Sequence, residues 1–489
     1  MTSAAIFDMA RSATRRLRYS YVLVLAIALN FLRANGHDQQ RCIELAVLGL
    51  GLTGALLTGQ LARALQAVPL MLRGAGAVFL ALGACATIGT VSLAHALSEW
   101  AMFVMLGLSA ILVADEFASG DALERHCLLQ VVGAVCALYS LRVLLVYVAA
   151  LAAHTQIEFQ DLSTGFSNIR FFNHAQTALL PLLVLLVAAS ARASWTRRVA
   201  FLVAAYWWSL VFFTESRATM LALAAGAAVA WLLRGRQARP MLAALAATAL
   251  AGAVLYLLLY FVIPVAAGLD AYGLSGDMLG RSASNPISGR QFLWKRAAEL
   301  IVRHPLLGVG PQHFAHYGAD LHTGAHPHDW LLQIAAEWGL PALLCVLFML
   351  GAGARGLLRA GRTVGAAEST EQALCATCIV AVSGIVVDSL FSGVLVMPQS
   401  QMSVALVIGI AIGWARSRHP ATLAGAGASG ASIATRVAGA VLALSALCML
   451  AAVAGPVAAR KWEGEALTAQ EAANNQGQQW PRLWQAGYF

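Results

Sequence analysis

The sequence predicts an all-α polytopic membrane protein: about twelve transmembrane helices, thirteen if a last apolar segment also crosses, with one long helical loop on the outer side. Three observations predict it. Of 489 residues, 60% are hydrophobic and only 11% charged, against about 25% charged in soluble domains; the mean hydropathy is +0.72. The apolar residues gather into runs that, with their flanks, can cross a bilayer. The basic residues are shared unequally between alternate loops. A chain this apolar could not cover its own surface in water, which excludes cytosolic enzymes, disordered proteins and secreted disulfide scaffolds. The net charge of +9 rests on 32 basic residues, all arginine except Lys295 and Lys461. Their place beside apolar runs makes the lipid bilayer, and no nucleic acid, the expected partner.

The first nine spans are expected at 21–32, 43–61, 74–93, 100–113, 128–153, 175–191, 199–213, 218–233 and 241–265, so residues 1–265 form one transmembrane bundle. Residues 266–339 form the outer loop with its helices. Spans ten to twelve follow at 340–358, 374–396 and 402–415, within residues 340–415. Residues 416–489 hold a Gly/Ala/Ser-rich linker at 420–435, the thirteenth candidate at 437–458 and a short tail. The first apolar run is followed by no small-residue cleavage site, so no cleavable signal peptide is expected. With the N-terminus inside, 19 basic residues fall on the inner side and 12 on the outer, while Arg142 lies within a span, as the positive-inside rule asks. Arg33 and Arg41, in the first outer loop, run against it. The eight cysteines lie mostly in apolar runs, and the Cys375-x-x-Cys378 pair reads as helix packing rather than metal or redox chemistry.

The long loop 266–328 holds six of the twelve histidines and five basic residues, Arg281, Arg290, Lys295, Arg296 and Arg303. Cations on the side where the positive-inside rule disfavours them suit either anionic lipid headgroups or a phosphorylated substrate gripped by guanidinium groups. Ser288 can cap a helix that begins near Arg290 and stops before Pro305. Arg290 in a first turn opposes the helix dipole, and a bound anion would relieve that conflict. Gly308 and Gly310 mark a turn with close backbone approach. Pro327 suits the first turn of a further helix that ends at Gly339 and Pro341, so His328 projects from a helix N-terminus. A positive helix end keeps an imidazole neutral, as a general base requires; a plain surface histidine is the competing reading. Other outer-face residues are Arg217, in the turn Thr214-Glu215-Ser216-Arg217, and Arg170, Asn173 and His174 ahead of the sixth span. Arg142 and Asp388, within spans, read as paired or functional. No D-x-D, Walker loop, Rossmann glycine pattern or G-x-S-x-G occurs, so no cofactor and no metal are expected. His322, His326 and His328 have a spacing open to zinc but lack cysteine or carboxylate ligands of fixed spacing.

Five motifs in order, T-E-S-R-A-T (214–219), S-G-R-x-x-L-W-x-x-A (288–297), H-P-L-L-G-V-G (304–310), H-P-H-D-W-L-L-Q-x-x-x-E-W-G (326–339) and D-S-L-F-S-G-V-L-V-M-P (388–398), resemble the O-antigen ligase/polymerase family. The resemblance covers roughly residues 160–415. Asp329 departs from it, since the family more often has Asn there. The resemblance implies a GT-C-type glycosyltransferase bundle in the bacterial inner membrane, its active site facing the periplasm. It implies a donor glycan on undecaprenyl diphosphate, with Arg217 and Arg290 on the diphosphate and His328 as the catalytic histidine. Arg170, His174, Arg142, His326 and Asp388 are further candidates. The expected reaction is transfer of O-antigen to lipid A–core in lipopolysaccharide biosynthesis, metal-independent and with inversion. A protein O-oligosaccharyltransferase and an O-antigen polymerase are the alternatives within the family, and the short tail favours the ligase. A lipid or polysaccharide transporter is the alternative from another class.

Overall fold

The structure, a computed structural model, describes residues 18–156, 161–271, 289–418, 433–451, 458, 472–473 and 480–489. Among these the architecture is helical; the one β feature is an isolated bridge between Trp480 and Ala486. In chain order the helices are α1 (Tyr19–Leu32), α2 (His37–Leu57), α3 (Gln60–Gln66), α4 (Leu70–Ala86), α5 (Leu93–Ser119), α6 (Ala122–Ala152), α7 (Ile169–Ala189), α8 (Trp195–Phe213) and α9 (Arg217–Arg234). They continue with α10 (Arg239–Leu257, prolonged by a π turn to Ala266), α11 (Arg290–Arg303), α12 (Trp330–Trp338), α13 (Leu340–Arg362), α14 (Ser369–Asp388), α15 (Pro398–Ser417) and α16 (Ile433–Met449).

Each of the thirteen apolar segments overlaps one of these helices. Among the described residues, seven helical stretches are long and apolar enough to cross a membrane, eight if α3 and α4, bent by 112° at their junction, make one span. One of the seven, Arg217–Ala266, doubles back: Phe213, just before α9, stacks on Tyr260 near the end of the α10 rod at 4.3 Å. The chain is therefore a polytopic bundle.

α7 is its axis and is buried almost throughout. Lipid gives no hydrophobic drive between helices, so small residues and internal hydrogen bonds must hold the bundle. A Cβ on Gly226 of α9 would lie 2.4 Å from the Val380 carbonyl of α14, and one on Gly413 of α15 would lie 2.6 Å from the Ala114 carbonyl of α5. Polar residues on α7 supply the second device. Gln176 Nε2 donates to the Trp207 carbonyl at 2.8 Å, and Asn173 Nδ2 donates to Thr214 Oγ1 at 3.0 Å.

Arg41 of the first hairpin and Arg142 of the sixth helix have structural partners. Arg41 is 1% exposed; its Nη1 meets Glu44 Oε2 at 2.5 Å, and its Nε and Nη2 donate to the carbonyls of Leu483 and Val396. Arg142 Nη1 donates to the Phe31 carbonyl at 2.6 Å, so it ties α6 to α1. Cys375 and Cys378 are free thiols buried in α14. The linker 420–435 lies mostly outside the described residues, and α16 covers the first part of the 437–458 segment.

Candidate active site at one end of the bundle

Both loop arginines open helices. Arg290 is the first residue of α11, after Gly289 in the left-handed region at φ 74°, and Arg217 is the first residue of α9. Ser288, the expected cap, lies outside the described residues. α11 ends at Arg303, ahead of Pro305 as expected. The two N-termini converge. Burial first, and then the nearby charge of Arg217, work against the charge of Arg290, and Asp388 partly offsets them. Two guanidinium groups at two helix N-termini make a concentrated positive field.

The motifs are stitched together by backbone groups. Trp294 Nε1 of α11 donates to the Pro327 carbonyl at 3.1 Å, and the Trp330 amide donates to the Ser389 carbonyl at 3.1 Å. The turn at 304–310 clasps the end of α12: Val309 and Gly310 donate to the carbonyls of Ala336 and Glu337, each at 2.9 Å. Gly308 has φ 68°, and a Cβ there would lie 2.4 Å from the Glu337 carbonyl carbon.

α12 starts later than the sequence suggests. Pro327 is not in its first turn; Asp329 is the N-cap and accepts from Leu331 and Leu332 at 2.8 and 3.1 Å. An aspartate side chain that can reach two orphan amides wins over proline's fixed φ. His328 then lies outside the helix, with a left-handed φ of 56°. Its amide donates to His326 Nδ1 at 3.2 Å, and the two rings lie 4.0 Å apart. His326 is in turn pressed against Gly393, where a Cβ would sit 3.0 Å from the ring.

His328 is pushed down to about 3, first by burial and then by the positive charge of Arg290 and by His174. Burial and a guanidinium, rather than a helix end, are what favour the neutral imidazole here. His326 is lowered as well, by burial first and then by His328 and Arg482.

Asp388 closes the inner side of the site. It is fully buried, accepts from Thr177 Oγ1, and accepts from Ser392 Oγ at 2.7 Å. Arg170 Nη1 donates to the Thr214 carbonyl at 2.6 Å and so fixes the turn ahead of Arg217. His328, His326, Arg290, Arg217, His174, Arg170 and Asp388 thus belong to one cluster, whereas Arg142 and Asp388 go to different partners. Among the described residues, no group of three or more His, Cys, Asp or Glu side chains is placed to hold a metal ion.

Sequence reasoning missed Arg482. It is 1% exposed and joins Glu99 of α5 to Glu337 of α12, and its nearest motif neighbour is the Glu of E-W-G. No local signal marks it.

Residues 200–347 match the family model described as O-antigen ligase, which brackets Arg217, Arg290 and His328. The match supports the family resemblance read from the motifs over that stretch and, at a coarse level, a glycosyl-transfer activity of the ligase/polymerase kind in a multi-pass membrane protein. No curated protein matches the chain.

Proposed function

We propose that this protein is an O-antigen ligase of the bacterial inner membrane, moving a glycan from undecaprenyl diphosphate to a sugar hydroxyl of lipid A–core at the periplasmic face. The observation that carries the reading is the meeting of Arg217 and Arg290 beside His328, a half-buried imidazole whose surroundings favour its neutral form. A diphosphate leaving group needs cationic donors placed where its charge grows, and two guanidinium groups supply them without a metal. An acceptor hydroxyl needs a base, and a neutral imidazole supplies one. The hydroxyl oxygen attacks the anomeric carbon while His328 takes its proton. The bond from that carbon to the diphosphate oxygen breaks, and the electron pair leaves with the diphosphate. Attack opposite the leaving group inverts the anomeric carbon. In this reading Asp388 steadies Arg290, His174 and His326 shape the wall around His328, and Arg170 holds the Arg217 turn. The helices form a GT-C-type bundle of thirteen crossings, which puts the tail on the same side as the loop 289–328.

The test compares donor binding with turnover in purified variants. His328→Ala should bind a polyprenyl diphosphate-linked glycan normally and lose about a hundred- to ten-thousand-fold in transfer. Arg217→Ala and Arg290→Ala should weaken donor binding as well as turnover, and lysine should rescue poorly because an ammonium cannot reproduce the fork. Normal turnover at saturation in His328→Ala would move the base elsewhere. Offering lipid A–core, an acceptor protein or a second lipid-linked glycan separates ligase from protein transferase and polymerase, which share the donor end of the site.

A further inference from the structure

Residues 480–489 fold back onto the site's end of the bundle and touch both ends of the segment that carries the histidines. Arg482 Nη2 lies 2.7 and 3.0 Å from the two carboxylate oxygens of Glu99, meets Glu337 Oε2 as well, and Nη1 donates to the Ala325 carbonyl at 3.4 Å. Ala325 directly precedes His326. Glu337 Oε1 in turn accepts from the Phe314 amide at 2.9 Å. Tyr488 Oη accepts from the Gly324 amide at 3.0 Å, and Gly324 lies against His328, since a Cβ there would be 3.1 Å from Nε2. His316 Nδ1 pairs with the Phe489 carbonyl at 2.8 Å, and the Phe489 ring stacks on His95 at 3.8 Å.

The segment is itself anchored. The Arg482 amide donates to the Trp484 carbonyl at 2.9 Å, and the Gln485 amide donates to Asp38 Oδ1 at 2.6 Å. Arg41 reaches the Leu483 carbonyl from α2. One guanidinium therefore bridges α5, α12 and the backbone beside His326. A buried ion triad is weak as a source of stability, because desolvation consumes most of the Coulombic gain. Its directional bonds fix geometry instead.

We propose that residues 480–489 are a strap that positions the histidine-bearing segment 313–328, with Arg482 as its positioning residue. The strap governs the transfer step rather than the hold on the diphosphate, because the contacts it makes go to Gly324, Ala325 and Glu337, on either side of His328. The assignment to the transfer step rests on the function proposed above.

The experiment uses the full-length chain in lipid nanodiscs and a polyprenyl diphosphate-linked saccharide. Arg482→Gln should keep the donor affinity and the number of donor sites of the parent while kcat falls about a hundred-fold, the scale of an ångström-size misplacement. Arg482→Lys should recover little, since an ammonium cannot face both carboxylates and the Ala325 carbonyl together. Tyr488→Phe, which keeps the ring, should speed hydrogen exchange at Gly324 and lower kcat by less. A chain stopped after residue 479 should regain turnover on addition of a peptide of residues 480–489. Parental kcat in Arg482→Gln, or donor sites lost in proportion to turnover, would overturn the proposal. Hydrogen exchange of 313–328 separates the two readings: if the parent transfers glycan to no acceptor, the function fails, while unchanged exchange in Arg482→Gln defeats the strap by itself.

Discussion

The sharpest consequence of the site concerns pH. His328 is held down to about 3 by burial, then Arg290 and His174. In the free enzyme the base is therefore already deprotonated across the usable range, and kcat/KM, which reports the free enzyme, should stay flat from pH 8 down to pH 5. An ordinary imidazole with a pKa of about 6.5 would be only about 3% neutral at pH 5, so its kcat/KM would drop roughly thirty-fold. A diphosphate substituted at both ends carries no group that titrates near neutrality, which leaves the enzyme as the source of any limb. Donor binding brings two negative charges against Arg290 and weakens its effect on His328. The acid limb of kcat, which reports the complex, should therefore lie above that of kcat/KM. Arg290→Gln removes the largest charge acting on His328 and should raise the acid limb of kcat/KM, on top of a lower rate at every pH. Initial rates from pH 4.5 to 8.5 for the parent and this variant decide the matter. A parent kcat/KM that half-falls near pH 6.5, unmoved in Arg290→Gln, would refute the electrostatic account.

Three further outcomes are expected. In a cysteine-depleted chain, Asp320→Cys and Ala486→Cys should be labelled by an impermeant thiol reagent in intact cells and Arg236→Cys should not; labelling of position 236 with 320 protected would invert the bundle. Transfer should survive EDTA, since no metal is assigned a role; complete loss restored by magnesium or manganese would reopen the acidic and histidine residues as ligands. Gly308→Ala should destabilise the site's end of the bundle by about 2–5 kcal/mol, from a left-handed φ and two strained hydrogen bonds to α12. Parental thermal stability in detergent would show that the turn and α12 are not clasped as described.

Much of the fold is legible in the sequence because crossing a bilayer demands long apolar runs, and every one of the thirteen runs overlaps a helix. Helix punctuation was partly legible: Pro305 and Gly339 mark real ends, while Pro327 misled because Asp329 outcompetes it as a cap. Of the intramembrane charges, Asp388 joins the cluster, but Arg142 serves a carbonyl of α1. Composition cannot tell these apart, since an expensive cation is satisfied equally by a carbonyl or by a ligand. The sequence predicts a neutral His328 from its place near a helix start, whereas the groups that favour the neutral form in the fold, Arg290 and His174, lie far from it in sequence. Arg482 was invisible for the same reason: Glu99 and Glu337 are its neighbours only once the bundle has closed.

The fold-back of residues 480–489 also orders the life of the molecule in time. A ribosome delivers the loop with His328 before it delivers Arg482, so Glu99 and Glu337 are both made before the guanidinium that joins them. Burial alone already pushes Glu337 upward, which lets a proton stand in until the guanidinium arrives. The half-made protein would thus sit among lipid-linked sugars with its donor-binding arginines formed and its histidine segment still loose. Chemistry would begin only after residues 480–489 have settled into place.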